Sequence, residues 1–180
     1  MLDSQWLIIG YGNIGRRIAR QVKGFEGQVT GIRRRQLADE YADQVGALAE
    51  VPDLLPRADV VVLACALNEE TRGLADAVFF SQMKLDALLV NIGRGDLVDE
   101  AALLAALDKG ELDYAILDVF QTEPLPEDSP IWDHGRIQVT PHSSNRGELT
   151  GTRFDELFVA NLGRYLAGEP VTNRVLPGTF

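Results

Sequence analysis

The chain has 180 residues and a formal net charge of −10, with 46% apolar and 24% charged residues. That length accommodates one domain with a full core and is short for two. The acidic balance excludes a nucleic-acid partner, which needs a basic face, and apolar runs such as residues 60–67 are far too short to span a bilayer.

The first predicted element is a strand over Trp6–Gly10, which runs into Gly10-Tyr11-Gly12-Asn13-Ile14-Gly15 and then a helix over Ile14–Val22. A buried strand, a glycine-rich turn and a helix in that order is what pyrophosphate binding requires. Gly10 permits the tight turn, Gly12 removes a Cβ from the path of a diphosphate, and Gly15 lets the helix pack close to the strand. The N–H groups and positive dipole end of that helix, with Asn13 and Ile14 in its first turn, then face the phosphates.

The second strand, Gln28–Ile32, ends in Arg33-Arg34-Arg35. A site for NAD(H) places an acidic residue near this point for the ribose hydroxyls, and none is present. Guanidinium groups bind a 2′-phosphate by charge and paired hydrogen bonds. The arginines therefore favour NADP(H), with NAD(H) as second choice. Three consecutive side chains cannot all point at one phosphate, so Arg33 and Arg34 rank before Arg35.

Helical patterns follow over Ala38–Val45 and Pro52–Arg57, then a strand over Asp59–Cys65. Cys65 is the only cysteine; in an apolar run it reads as a small buried hydrophobe rather than a reactive thiol, and it fits a reducing cytoplasm. A helix over Asp76–Lys84 and a strand over Ala87–Asn91 come next. Asp99 is placed to cap a helix that runs to Lys109 and is stopped by Gly110. Strands over Tyr114–Val119 and Ile137–Thr140 flank a proline-rich loop at 123–130, and a long helix over Gly147–Leu166 ends near Gly168 and Pro170. Alternating strands and helices, with several strands continuously apolar, predict an α/β fold: a doubly wound parallel sheet of Rossmann type. One dinucleotide-binding domain is expected over 1–180 with a tail at 168–180, and ligands at the carboxyl ends of the strands. No metal site is expected.

Three later segments carry chemistry: Val90-Asn91-Ile92-Gly93-Arg94-Gly95, Leu117-Asp118-Val119-Phe120-Gln121-Thr122-Glu123-Pro124, and Val139-Thr140-Pro141-His142-Ser143-Ser144. With Glu70-Thr71-Arg72-Gly73-Leu74 and Met83-Lys84, their order and spacing resemble the D-isomer-specific 2-hydroxyacid dehydrogenase family from Trp6 to about Val175. The resemblance implies an oxidoreductase that moves a hydride between a nicotinamide cofactor and a small 2-oxo or 2-hydroxy acid, such as glyoxylate or hydroxypyruvate. It implies Arg94 as the substrate anchor, Glu123 as the orienting carboxylate, His142 as the acid/base and Asp118 as partner of the nicotinamide carboxamide. Ala66, Thr71, Ile92, Gly93, Arg94 and His142 join the cofactor-binding set. These residue types suit the reaction: a guanidinium holds a carboxylate and polarises the adjacent carbonyl, and an imidazole exchanges protons near neutrality. His134 reads as a surface residue and Trp132 as loop packing.

In the family the nucleotide domain is inserted in a substrate domain, and Met1 stands only a few residues before the first strand, so that substrate domain is expected to be largely absent. The family also commonly carries a proline near Ala66 and a threonine near Asn68, which differ here. The resemblance implies a homodimer with contacts around Asp96–Leu107. The alternative to an enzyme is a non-catalytic module that binds dinucleotide or mediates assembly.

Overall fold

In the computed structural model, strand β1 (Gln5–Ile9) is buried on both faces: Leu7 and Ile9 enter one core cluster and Ile8 the other. The structure describes residues 2–143, 147 and 150–174, and the chain divides into a unit over 1–142 and a unit over 143–180.

In the first unit β1 pairs with β2 (Gln28–Ile32) on one side and β4 (Val60–Leu63) on the other. β3 (Gln44–Gly46) lies outside β2, and β5 (Leu88–Asn91), β6 (Tyr114–Leu117) and β7 (Ile137–Val139) extend the sheet beyond β4. Every pairing is parallel, in the order β3-β2-β1-β4-β5-β6-β7. The doubly wound α/β architecture is therefore the observed one. The order reverses between β1 and β4, which opens a crevice at the carboxyl ends of those strands.

Helix α1 (Asn13–Gly24) covers one face, setting Ala19 and Val22 against Ile8, Val29 and Val62. The other face packs against Phe79 and Phe80 of α3 (Ala77–Ser81) and Leu103, Ala106 and Leu107 of α4 (Glu100–Lys109). Each fully buried Leu or Phe contributes about 1.5–3 kcal/mol, which makes the strand ends a stiff base for the loops they carry. Helix α4 has the expected limits: the Asp99 carboxylate accepts the Ala102 N–H at 3.0 Å, and Gly110 closes the helix at φ 72°.

Three expectations need correction. Residues 38–45 are not a helix: 38–43 are irregular, and Gln44, Val45 and Gly46 pair with Thr30, Gly31 and Ile32 as a parallel edge strand. The Asp39 carboxylate takes the Tyr41 N–H at 3.1 Å and the Tyr11 hydroxyl at 3.0 Å, giving the backbone a partner that competes with helix formation. The helix expected over 76–84 spans only Ala77–Ser81, because the N–H groups of Gln82 and Met83 turn to carbonyls three residues back. Over 52–57, α2 (Val51–Leu54) passes into a 3₁₀ turn (Leu55–Arg57), where Pro56 offers no N–H to continue an α-helix.

In the second unit α5 (Thr150–Leu166) carries Phe154, Phe158, Leu162 and Tyr165 at helical spacing. Gly147, expected to open this helix, lies outside it, and residues 148–149 and 175–180 fall outside the described set. Asn161 holds the following segment by accepting the Thr172 N–H at 2.8 Å and donating to the Thr172 carbonyl at 3.1 Å. Among the described residues no helix is long and apolar enough to cross a membrane, and no group of side chains is arranged to hold a metal ion.

Candidate cofactor and catalytic site

The glycine turn joins β1 to α1 at the crevice. Gly10 has φ 99°, and a Cβ on it would stand 2.2 Å from the Cys65 nitrogen, so the close approach of the chain beyond β4 adds to the turn as a reason for glycine. A Cβ on Gly15 would stand 2.6 Å from the Gly10 carbonyl oxygen, as tight helix–strand packing requires. Gly12 differs. Its backbone is extended at φ −99°, and among the described residues a Cβ there would meet nothing within 4 Å. No described residue crowds this position; open space lies where a ligand would approach. Gly12 also starts α1 with no side-chain cap, and the first turn holds no acidic residue, so its N–H groups and dipole are left to face an anion. Ile14, in that turn, is 58% exposed although apolar.

A groove of about 310 Å³ runs from this turn between β2 and the segment after β4, bringing Gly10, Gly12, Arg33, Arg34, Ala66 and Thr71 together. Arg35 is exposed and outside it. The Arg33 guanidinium lies 5.5 Å from the centre of the Tyr11 ring and donates through Nη2 to the Leu37 carbonyl. Its Nε is buried without a hydrogen-bond partner, the single such side-chain atom among the described residues. The glycine cradle and the arginines fit a dinucleotide with an anionic adenosine end. Thr71 is buried and donates to the Ala66 carbonyl at 2.8 Å, while Asn68 Oδ1 accepts the N–H groups of Glu70 and Thr71 at 2.9 and 3.1 Å. Asn68 thus closes this turn where the family's threonine would stand. Cys65 packs against the larger core cluster, and burial pushes its thiol up to about 11. A larger cavity of about 510 Å³ opens at the opposite strand ends, among Gln5, Gln28 and Gln44, and includes none of the expected residues.

The remaining residues expected at the site follow β5, β6 and β7. Asn91, fully buried at the end of β5, accepts the Gly93 N–H at 3.1 Å and donates to the Arg94 carbonyl at 3.0 Å. It braces the loop Ile92-Gly93-Arg94, from which the exposed Arg94 side chain donates to the Gly93 carbonyl at 2.7 Å. At the end of β6 Asp118 is buried, and the Thr140 hydroxyl donates to its Oδ1 at 2.5 Å. Glu123 accepts the Phe120 N–H at 3.1 Å with one oxygen, and its other lies 2.6 Å from His142 Nδ1. The bond from His142 holds the Glu123 carboxyl below the usual carboxylate range; the Phe120 N–H and the charge of Arg94 act in the same direction, against a smaller effect of burial. His142 has φ 48°, a left-handed conformation that aims the ring back at Glu123. Glu123 and His142 share one wall of an apolar hollow of about 420 Å³ with Leu125, Trp132 and Val139.

Asn91 and Thr140 went unassigned in the sequence, although a polar residue closing an apolar strand was a usable signal for both. His134, read as a surface residue, is half-buried: its Nδ1 accepts the Arg136 N–H at 3.2 Å. Trp132 is 49% exposed and donates to the Pro126 carbonyl at 2.8 Å.

Residues 1–144 match the family described as D-isomer specific 2-hydroxyacid dehydrogenase, NAD binding domain. Among known proteins, a human glyoxylate reductase/hydroxypyruvate reductase is 36% identical over 171 residues, covering 93% of this chain and 52% of the human protein. A D-isomer specific 2-hydroxyacid dehydrogenase from Xanthobacter autotrophicus Py2, solved with NADPH and MES, superposes with a TM-score of 0.89 at 35% identity, covering 97% of this chain and 71% of that one. An NADPH-dependent glyoxylate/hydroxypyruvate reductase from Sinorhizobium meliloti, solved with NADP and sulfate, gives 0.88 at 29% identity, covering 96% of this chain and 55% of that one. The chain spans about half the length of the curated relatives it matches.

Proposed function

The chain belongs to the D-isomer-specific 2-hydroxyacid dehydrogenase family, and on that premise we propose that it is the cofactor-binding half of an oxidoreductase that uses NADP(H) in preference to NAD(H) to reduce a small 2-oxo acid. The observation that carries this reading is Gly12: no described residue crowds a Cβ there, and a diphosphate over α1 would.

When bound, the cofactor supplies the hydride that reduces the carbonyl carbon. The chain's own groups do the rest. Gly12 and the start of α1 seat the diphosphate; Arg33 and Arg34 receive the 2′-phosphate. Asp118, oriented by Thr140, would accept from the carboxamide of the nicotinamide. Arg94 holds the substrate carboxylate and polarises its carbonyl. With His142 Nδ1 turned to Glu123, proton exchange with the substrate falls to Nε2, which protonates the developing alkoxide. Ionised Glu123 fixes that tautomer and stabilises the imidazolium. In the oxidative direction, neutral His142 takes the proton back.

We read residues 1–180 as one dinucleotide-binding domain with a tail at 168–180, acting in the cytoplasm and pairing as a homodimer through 96–107; sedimentation of the purified chain tests the last point. The function is tested by titrating the 180-residue chain with NADPH and NADH, then following NADPH oxidation with glyoxylate, hydroxypyruvate and pyruvate. The same assay is run on the chain joined to the upstream lobe of a relative. Absence of nucleotide binding overturns the reading. Binding without turnover in either form replaces it with a non-catalytic dinucleotide module.

A further inference from the structure

We propose that Tyr11, Arg16 and Asp39 form a clasp that sets coenzyme discrimination by holding the segment with Arg33 and Arg34 against the start of α1; this rests on the NADP(H) reading above.

The segment between β2 and β3 is weakly secured on its own. From residue 33 to 43 it contains no helix and no fully buried residue, and only the half-buried Tyr41 and Ala42, at its far end from Arg33 and Arg34, pack against the smaller core cluster. Its internal backbone bonds are Leu37 N–H to the Arg35 carbonyl and Ala42 N–H to the Asp39 carbonyl, with Arg33 and Asp43 tied at the ends to Gly46 and Val29. Such a stretch does not by itself keep two guanidinium groups in register with a phosphate.

Asp39 supplies what the backbone lacks. One of its oxygens accepts from the Tyr11 hydroxyl at 3.0 Å and the Tyr41 N–H at 3.1 Å; the other accepts from Arg16 Nε at 2.7 Å. Arg16 also bonds Glu40 at 2.6 Å and stacks 4.7 Å over the Tyr41 ring. Burial alone would raise the Asp39 carboxyl, but the bonds from Arg16, Tyr41 and Tyr11 outweigh it and keep the group ionised. Burial, then Asp39 itself, pushes the Tyr11 phenol well above its ordinary range, so it remains a donor.

Tyr11 has a second task. A Cβ on Gly31 would stand 2.4 Å from the Tyr11 ring, so the glycine lets the ring lie flat on β2. The Arg33 guanidinium rests over that same ring. One residue of the glycine turn therefore supports the arginine from below and, through Asp39, ties down the loop that follows it.

The clasp and simple electrostatics predict opposite signs. A carboxylate that merely lay near a 2′-phosphate would repel it, and its removal would tighten NADPH binding. A carboxylate that positions Arg33 and Arg34 weakens NADPH binding when removed and leaves NADH binding nearly unchanged.

The test is fluorescence titration of the 180-residue chain with NADPH and NADH, with thermal unfolding as a check on folding. Asp39→Ala is expected to raise the NADPH dissociation constant about tenfold and the NADH constant less than about twofold. Tyr11→Phe keeps the ring under Arg33 and removes only the hydroxyl; a loss of about threefold, again confined to NADPH, is expected. If Asp39→Ala does not fold, Tyr11→Phe decides. Tighter NADPH binding, or equal losses for both cofactors, overturns the clasp. Arg33→Ala with Arg34→Ala separates the two readings. If this pair loses NADPH selectively while the clasp variants do not, the clasp alone fails. If it loses both cofactors equally, the NADP(H) reading fails and the clasp falls with it.

Discussion

Gly95 lies directly against the peptide joining Phe120 to Gln121: a Cβ on Gly95 would stand 1.9 Å from the Phe120 carbonyl carbon and 2.4 Å from the Gln121 nitrogen. The loop with Arg94 and the loop with Glu123 therefore share one backbone contact. The Gln121 side chain strengthens it by donating to the Val98 carbonyl at 2.9 Å, and Glu100 accepts the Gln121 N–H at 2.8 Å. Because both neighbours at Gly95 are backbone atoms, neither can swing aside. Gly95→Ala is expected to destabilise the chain by at least about 1–3 kcal/mol, read as a lower urea midpoint. An unchanged midpoint would mean that the two loops move independently.

Gly12 and Gly15 are expected to respond in opposite ways. Gly12→Val places its side chain in open space, so stability falls only by the cost of a poorer helix start, about 1 kcal/mol or less, while the NADPH dissociation constant rises by about tenfold or more, the scale of one blocked phosphate contact. Gly15→Ala drives a Cβ toward the Gly10 carbonyl and lowers stability even without nucleotide. A paired thermal melt and NADPH titration checks both. Equal destabilisation by the two variants would return Gly12 to a purely structural role.

His142→Asn keeps a polar group at the left-handed position but loses the proton exchange. In the chain joined to a substrate lobe, kcat is expected to fall by about 10²- to 10⁴-fold, far more than the NADPH dissociation constant rises. Steady-state kinetics and cofactor titration on the same sample make the comparison.

Asp59 links the start of β4 to its neighbours by accepting the Gln5 N–H at 2.7 Å and pairing with Lys84. Burial opposes ionisation, but the bonds from Gln5 and Lys84 outweigh it and hold the carboxyl below its ordinary value. A carboxyl depressed in the folded state contributes stability that is fully present above the unfolded value of about 3.9 and is lost as pH falls through the folded one. Asp59→Asn is thus expected to melt a few degrees below the parent at pH 7, with the gap closing below about pH 4. A gap that persisted to pH 2 would contradict this assignment.

The strands were legible because β1 and β4 are buried on both faces, β5 is buried on one and half-buried on the other, and all three lie in apolar runs; α4 was legible because Asp99 and Gly110 mark its ends chemically. Residues 38–45 misled for an equally physical reason. Their periodicity fits a helix, but the partners that unmake it, Tyr11 and Arg16, lie more than twenty positions away. β3 was hidden too, since three residues are too few for an alternation to register. At the site, it is the resemblance to the family that picks out Arg94, Glu123 and His142, in the segments that follow β5, β6 and β7. The Glu123–His142 contact and the brace from Asn91 depend on how loops from different strands meet, which no local pattern encodes.

The irregular stretch from Arg33 to Asp43 sets only the half-buried Tyr41 and Ala42 against the smaller core cluster, and its ends are fixed by β2 and β3. It is therefore interchangeable in a way the strands are not. A replacement of equal length that kept Tyr41, Ala42 and the acceptor for Tyr11 and Arg16 would leave the core contacts intact. A scaffold of this kind can acquire a new nucleotide preference through a single transplanted peptide, without any compensating change in its interior.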